Sequence, residues 1–592
     1  MKRILSFLLL CTLCLATFLP VAATPVAQNA MVASTQSAIE ASLGRDTAGA
    51  AILLVDQGKR VMMEGFGYAD MEERSLVTVE TSFEIGSLSS LFVLLAVRNL
   101  QRDGVLDPDV SIAEYLSASF MEKLALSYDV TLNDLLYGTA GFDGRLFDLR
   151  VEKDVYRFDT LGEALLADVP SQIARPGAYQ AYSAFGVGLA AYVVECVVDT
   201  SYEEYVRSTI LEPLGMGTTL LNPDADDFAQ TAAKGHKKVD IGEFVIEKGE
   251  GRSYAVLAPV NGAVSTLADL SVLLSHMTER GLFDVAQTEG AVLSLGALGG
   301  SATKHSYTLT DTTAYFGSAL SVNLEKGQIA LVLTNNKESA LLSLPALLCG
   351  ATTGVEVVQE GLLPVSGLEG VYADATFSSN TLLGRLRIKD RSVRITEAKD
   401  GMIRFDGCLL IQVAPGVFAE TIDEENIVVL QIFTDGDGEV VSLIDATGTT
   451  YLPVPTMQRS VPANILFALL ILIALYFFVY AIVETIRFLC KKGTPGMGLY
   501  PYFALAYKIC FGVLSVMVLL QAFIALLVGS AAFASFFTAM AIFTTVLAAI
   551  SGVSVIVCLF ASRQREKKDV WLIVNASLLI AFLVLCVYWR VM

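Results

Sequence analysis

Hydrophobic and polar positions along this chain fall into three patterns, and each predicts a different architecture. Leu88, Leu91, Phe92, Leu94, Leu95, Val97 and Leu100 recur at helical spacing, and Asp103-Gly104 ends the run. A buried helix is therefore expected directly after the turn Gly86-Ser87. Ser87 falls on its first turn, where backbone N–H groups carry the positive end of the helix field. That position suits a nucleophile whose intermediate is an oxyanion, and it equally suits a plain N-cap. Upstream, a short helix is expected around Val32–Leu43. Two strands, Ala50–Val55 and Arg60–Gly65, should be joined by a turn at Gln57-Gly58.

The second pattern covers Gly367–Pro453. Short alternating stretches are broken by turn signals such as Asp435-Gly436 and Asp437-Gly438, which predicts a small β-domain. The third begins after Pro453, Pro455 and Pro462. Ile465–Val483, Ile509–Leu527, Phe536–Phe560 and Trp571–Trp589 are each long enough to cross a hydrocarbon core, giving an expected four-helix transmembrane region.

Charge orients those spans. Arg487, Lys491 and Lys492 follow the first, and Arg563, Arg565, Lys567 and Lys568 follow the third, whereas Gly529–Ser535 carries no charge. Basic loops stay cytoplasmic, so the first span runs from outside to inside and the C-terminus faces outside. Glu484 and Lys508 sit near span ends and can snorkel; no charge lies deep in a span, so no transport pathway is suggested. At the N-terminus, Lys2 and Arg3, the apolar Ile4–Leu19 and the small residues Val21-Ala22-Ala23 predict an export signal over residues 1–23. The expected localisation is the cell membrane, multi-pass, with the large domain on the extracytoplasmic side and the lipid bilayer as one partner.

Composition agrees. A hydrophobic content of 54% is too high for a purely soluble protein, and a net charge of −20 makes nucleic-acid binding a poor hypothesis. The exported part holds Cys196, Cys349 and Cys408, too far apart for a disulfide framework; one bridge, or three small buried hydrophobes, are the readings. His236, His276 and His305 have no Cys or His at ligand spacing, so neither a metal site nor a cofactor is expected.

Phe83-Glu84-Ile85-Gly86-Ser87-Leu88-Ser89-Ser90-Leu91-Phe92 resembles the F-x-I-G-S-x-[ST]-K-x-F motif of the serine β-lactamase and penicillin-binding-protein superfamily, in its class C-like serine hydrolase branch. Further passages resemble that family in the same order: Val130–Gly141, Pro176–Glu195, Tyr202–Thr219, Pro259–Leu270 and Ile329–Asn335. The resemblance spans about residues 45–340 well and 366–455 more loosely, where Leu368–Tyr372 looks like the start of the lipocalin-like domain that often follows these hydrolases. It implies a β-lactamase-like domain 24–350 with an antiparallel sheet and helical subdomain and a small β-domain 366–455; with the signal peptide 1–23 and membrane region 463–592 read from the apolar pattern, the expected chain is α+β and multi-domain.

In the resembled family a serine attacks a carbonyl, a lysine three residues on shares its proton, a tyrosine acts as base, and a third cationic or imidazole group anchors the substrate. By that resemblance Ser87 is the nucleophile and Tyr182 the base. Ser90 stands where the lysine belongs, Ala184 where an asparagine would bond the substrate amide, Gly138 where His is usual and Ala140 where Ser is usual. The third element is expected at His305-Ser306-Tyr307, with Tyr307 in place of a glycine and Lys304 as a candidate replacement cation. A lost general base costs about 10²–10⁴ in rate. Two readings follow. One is a degenerate, membrane-tethered member that binds a peptide, a cell-wall fragment or a partner, including a membrane-protein partner. The other is a serine hydrolase of peptidase or esterase type that uses Ser87 with altered machinery.

Overall fold

Gln57 and Gly58 both adopt positive φ, 49° and 73°, the geometry of a tight hairpin turn between two twisted strands. They join β1 (Gly49–Asp56) to β2 (Lys59–Asp70), somewhat longer than the expected pair. In this computed structural model the described residues are 29–144, 150–151, 158–223, 232–246, 253–283, 294–296, 298, 300–303, 305–349, 357–358, 360–376, 391–398, 401–422, 425–456, 460–490, 509, 512–520, 544 and 570–588.

The hairpin belongs to an eight-stranded antiparallel sheet. With β3 (Ser75–Leu76), β4 (Ser294–Leu295), β5 (Ser301–Ala302), β6 (Ser306–Thr312), β7 (Gly317–Asn323) and β8 (Gln328–Thr334), its order is β4-β5-β6-β7-β8-β1-β2-β3. Both faces are covered. Ala50, Ile52 and Leu54 of β1 pack with α1 (Ala30–Ser42) and the Leu344–Cys349 helix; Ala51 and Leu53 face the main core. That is why β1 reads as a continuous apolar run instead of an alternation.

At the centre of the main core lies α2 (Ser90–Arg102), in which Ser90 through Val97 and Leu100 are all buried. A helix apolar on every side is stable only inside a protein. It packs against α3 (Ala184–Val198) and the short Ala258–Asn261 helix, and α4 (Leu267–Glu279) lies against the sheet. The expected helix is thus present, but Gly86–Ser89 forms a separate 3₁₀ turn ahead of it.

The small β-domain is a closed barrel. Its strands β9 to β16 (Gly370–Asp374, Ser392–Glu397, Ile403–Phe405, Cys408–Ala414, Val417–Ile422, Glu425–Thr434, Val440–Asp445, Thr450–Pro453) pair in sequence, and the last closes on the first. Closure leaves no exposed edge, and Phe405, Leu410, Phe418, Leu430, Ile432 and Leu443 form its core. The β15–β16 turn touches the main sheet: Ser301 Oγ donates to the Ala446 carbonyl at 3.2 Å. Gly448, at φ 86°, is so close that a Cβ would lie 3.0 Å from Ser301 Cα. Gly448→Val should therefore unseat the turn at a cost of about 1–3 kcal/mol. Limited proteolysis of the full chain should then cut between the two domains faster than in wild type; an unchanged cleavage rate would contradict the contact.

Near the other edge, His236 is 1% exposed, with Nδ1 3.1 Å from Asn335 Nδ2 and Nε2 accepting from the Met71 amide at 3.4 Å. Burial pushes its imidazole below the ordinary value, against the opposing pull of the Lys234 carbonyl and Asp70. A depressed histidine means the unfolded chain takes up the proton first. Stability should thus fall as pH drops below about 6.5, by up to about 1.4 kcal/mol per pH unit. Thermal midpoints at about pH 7.5 and 5.5 should converge in His236→Gln relative to wild type; an identical pH dependence in both proteins would rule His236 out.

Cys196, Cys349 and Cys408 are free thiols. Only Cys349 fits the expectation of a buried hydrophobe, its thiol pushed up to about 12 by burial; Cys196 and Cys408 are exposed.

Of the four expected spans, α5 (Ser460–Cys490) contains the first and α6 (Val570–Tyr588) corresponds to the fourth. Within α5, the 23 residues Ile465–Arg487 have mean hydropathy 2.9, and among the described residues this is the one helix long and apolar enough to cross a membrane. The described apolar part of α6 is the shorter Ser577–Cys586; it packs on α5 through Phe582 and Phe477, ring centroids 6.0 Å apart. The second expected span is described only at 509 and 512–520 and the third only at 544, while the export signal lies outside the described residues. The described residues 509, 512–520 and 544 are also helical.

Candidate active site

Ser87 sits on the 3₁₀ turn, half-buried, with a glycine before it at φ 54°. Facing it is Asp311, the penultimate residue of β6. The Ser87 backbone N–H donates to Asp311 Oδ2 at 2.7 Å, and the Ser87 hydroxyl donates to the same oxygen at 2.6 Å. Two further links fix this geometry. Asp311 pairs with Ser318 of β7, and Ser318 Oγ donates to the Ile85 carbonyl at 2.8 Å. A Cβ on residue 86 would lie 2.7 Å from Asp311 Oδ2, so glycine is what lets the carboxylate in.

The chemical consequence is direct. A nucleophile's own N–H is an oxyanion donor, valuable only if it is free when the negative charge develops. Here that donor already holds a carboxylate oxygen. A second negative charge about 3 Å from Asp311 would be repelled by about 5 kcal/mol at an effective dielectric constant near 20. Asp311 forms no ion pair among the described residues.

Ser90, at the lysine position, is fully buried and donates to the Val260 carbonyl at 3.1 Å. Ser89 donates to the Gly86 carbonyl at 2.6 Å and accepts from the Ala263 amide at 3.0 Å. The two hydroxyls fasten the nucleophile turn to the 260–263 segment, a structural role that requires no charge. Tyr182 is half-buried against the main core, just before Ser183, whose Oγ caps α3 by accepting from Gly186 N–H at 3.1 Å. Ala184 is the first residue of α3 and is buried.

Gly138 explains one departure from the resembled pattern. Its φ is 65°, a Cβ there would lie 2.3 Å from the Ala181 carbonyl oxygen, and its own carbonyl accepts from Ala181 N–H at 2.8 Å. The loop carrying Tyr182 lies directly on it. Gly138→His should displace that loop and cost about 2–3 kcal/mol, read as a lowered thermal midpoint; an unchanged midpoint would show that the loop yields freely.

His305 and Tyr307 are not part of this arrangement. His305 is exposed, with Nδ1 3.4 Å from Glu325 Oε2. Tyr307 is 2% exposed, tilted at 41° to the Phe283 ring with centroids 5.8 Å apart and lying over Gly300. It shares a strand face with Asp311 but lies four residues, about 13 Å, further along. The third element opposite Ser87 is therefore Asp311, which the sequence reading missed. Lys304 lies outside the described residues. No set of three His, Cys, Asp or Glu side chains converges as a metal site among the described residues.

A serine on a tight turn before a buried helix thus faces an inner strand of the antiparallel sheet. A family model described as Beta-lactamase matches residues 35–344, more than half of the chain, and the chain belongs to that family. Protein flp of Staphylococcus aureus (strain NCTC 8325 / PS 47) is 27% identical over 175 residues, covering 29% of this chain and 34% of that protein. The putative penicillin-binding protein PbpX of Bacillus subtilis (strain 168) is 26% identical over 164 residues, covering 28% of this chain and 39% of that protein. The chain thus spans little more than a third of the curated relatives it matches. Among solved structures, the octameric penicillin-binding protein homologue from Pyrococcus abyssi aligns at 18% identity and a TM-score of 0.44, covering 71% of this chain and 99% of that one. FmtA from Staphylococcus aureus aligns at 18% identity and a TM-score of 0.41, covering 55% of this chain and 91% of that one.

Proposed function

We propose that this chain is a membrane-anchored, extracytoplasmic member of the β-lactamase family that binds a peptide, a cell-wall fragment or a partner protein instead of turning over an acyl substrate. One observation carries the reading: the Ser87 N–H and hydroxyl both donate to Asp311 Oδ2, at 2.7 and 2.6 Å. The oxyanion position is filled by an acid of the chain itself, and the lysine position holds the buried Ser90. Support for anchoring comes from α5 and from the apolar and basic pattern of residues 463–592, which suggests four spans. Support for an outer location comes from the signal-like residues 1–23.

A second reading draws on the same 2.6 Å contact: a serine hydrolase in which Asp311 accepts the Ser87 proton. Active-site labelling separates the two. The full chain, in detergent, is treated with a fluorophosphonate and with a fluorescent penicillin, and intact mass is read beside Ser87→Ala. The expected result is no Ser87-dependent adduct. An adduct that vanishes in Ser87→Ala would overturn the binding reading.

A further inference from the structure

The sign of the charge beside Ser87 points to the class of ligand. In the resembled family a lysine lies one turn from the serine, and a cationic or imidazole group anchors the substrate. Here the lysine position is the neutral Ser90, bonded to a carbonyl, and the imidazole of His305 is turned to Glu325. Among the described residues, the charged group bonded to Ser87 is a carboxylate. It is held in place by two donors on Oδ2, while it remains partly open to solvent. An ionised carboxylate has about four acceptor sites across its two oxygens, so capacity is left on Oδ1, for which no ion pair exists among the described residues. The partner that suits such a group is a cationic donor, and none is paired with it among the described residues. A charge-assisted N–H bond to it is about twice as strong as a neutral one. A ligand carboxylate in the same place meets repulsion. The chain's net charge of −20 adds long-range attraction for cations.

We infer that the partly exposed Ser87–Asp311 pair recognises a primary ammonium, the free amino group of a peptide, with Asp311 as its counter-charge. Nothing is cleaved in this step: the ammonium replaces water at Oδ1 and Ser87 keeps its two bonds. The inference rests on the reading of the site as a binding site, but it stands or falls on different data. That reading fails if Ser87 is covalently labelled; this one fails on reversible binding.

The test uses two small probes and the full chain in detergent, by isothermal titration. Alanylalaninamide carries an ammonium and no carboxylate; N-acetylalanylalanine carries a carboxylate and no ammonium. The expected result is binding of the first and not of the second, weakened by added salt. Asp311→Asn keeps the shape and an acceptor for Ser87, and should lower affinity for the amide by about tenfold or more. Its thermal midpoint checks that it folds. If it does not fold, the salt dependence and probe preference of wild type decide. Tighter binding of the acetylated probe, binding of neither, or unchanged affinity in a folded Asp311→Asn would each overturn the inference.

Discussion

Asp311→Gly should make Ser87 react with fluorophosphonate about 10²–10³-fold faster than in the wild type, the range that one oxyanion donor is worth. Removing the side chain frees the Ser87 N–H from its 2.7 Å bond and removes a negative charge from the place where the intermediate's oxygen develops charge. The opposing effect is loss of the 2.6 Å acceptor of the Ser87 hydroxyl. The first effect should win. A carboxylate is a poor proton acceptor for an alcohol at neutral pH, and in working serine hydrolases the aspartate stays ionised while another group takes the proton. Glycine near a strand end costs only about 0.5–1 kcal/mol of stability. Adding Ser90→Lys should raise the rate further, by up to about 10²–10⁴, though the two changes act on one unit and will not multiply cleanly. Time-resolved labelling with Ser87→Ala as blank reads the effect. Slower labelling of Asp311→Gly would make Asp311 the working acceptor and favour the hydrolase reading.

Asp311 carries no local signal in the sequence. Ser306–Thr312 reads SYTLTDT, with neither the cation nor the glycine of the family's third element, so attention falls on His305, the one imidazole nearby. The following hairpin holds better information. Ser318 lies opposite Asp311 and its hydroxyl reaches the Ile85 carbonyl, so the register of β6 on β7, not side-chain type, locates the residue facing Ser87. Register depends on pairing across space and has no signal in a strand of Thr and Ser. The buried α2, the β1–β2 hairpin and the family passages were legible because each rests on local apolar spacing or on a turn glycine. Gly138 shows the limit of that method. Against the family pattern it looked like a lost polar group, whereas its φ of 65° and the Ala181 carbonyl leave no room for any side chain.

The two passages with least chemistry, Tyr202–Thr219 and Pro259–Leu270, should matter most for stability, and Asp269→Ala is the variant that tests this. Asp269 is 8% exposed, and its Oδ2 accepts from Thr218 N–H at 3.1 Å, Thr218 Oγ1 at 2.8 Å and Thr219 Oγ1 at 2.8 Å. Its own N–H is capped by Thr266 Oγ1 at 3.1 Å, and Thr219 Oγ1 lies 2.7 Å from Ser265 Oγ. One carboxylate thus ties the start of α4 to the chain after the Leu214-Gly215 helix end. Truncation strands several donors, of which Thr219 is itself buried. At about 1–3 kcal/mol for a buried group left unpaired, the loss should be about 3 kcal/mol, or roughly 6–12 °C in thermal midpoint. Thr218→Ala, at an exposed residue, should cost under about 1 kcal/mol, and Asp269→Asn should recover part of the loss. A shift in Asp269→Ala no larger than in Thr218→Ala would show that the carboxylate is not what joins the passages. If the larger shift appears, it accounts for a contrast within this chain. The passages that match the family tie elements of the fold together, and two departures from it, Ser90 and Asp311, flank the Ser87 turn.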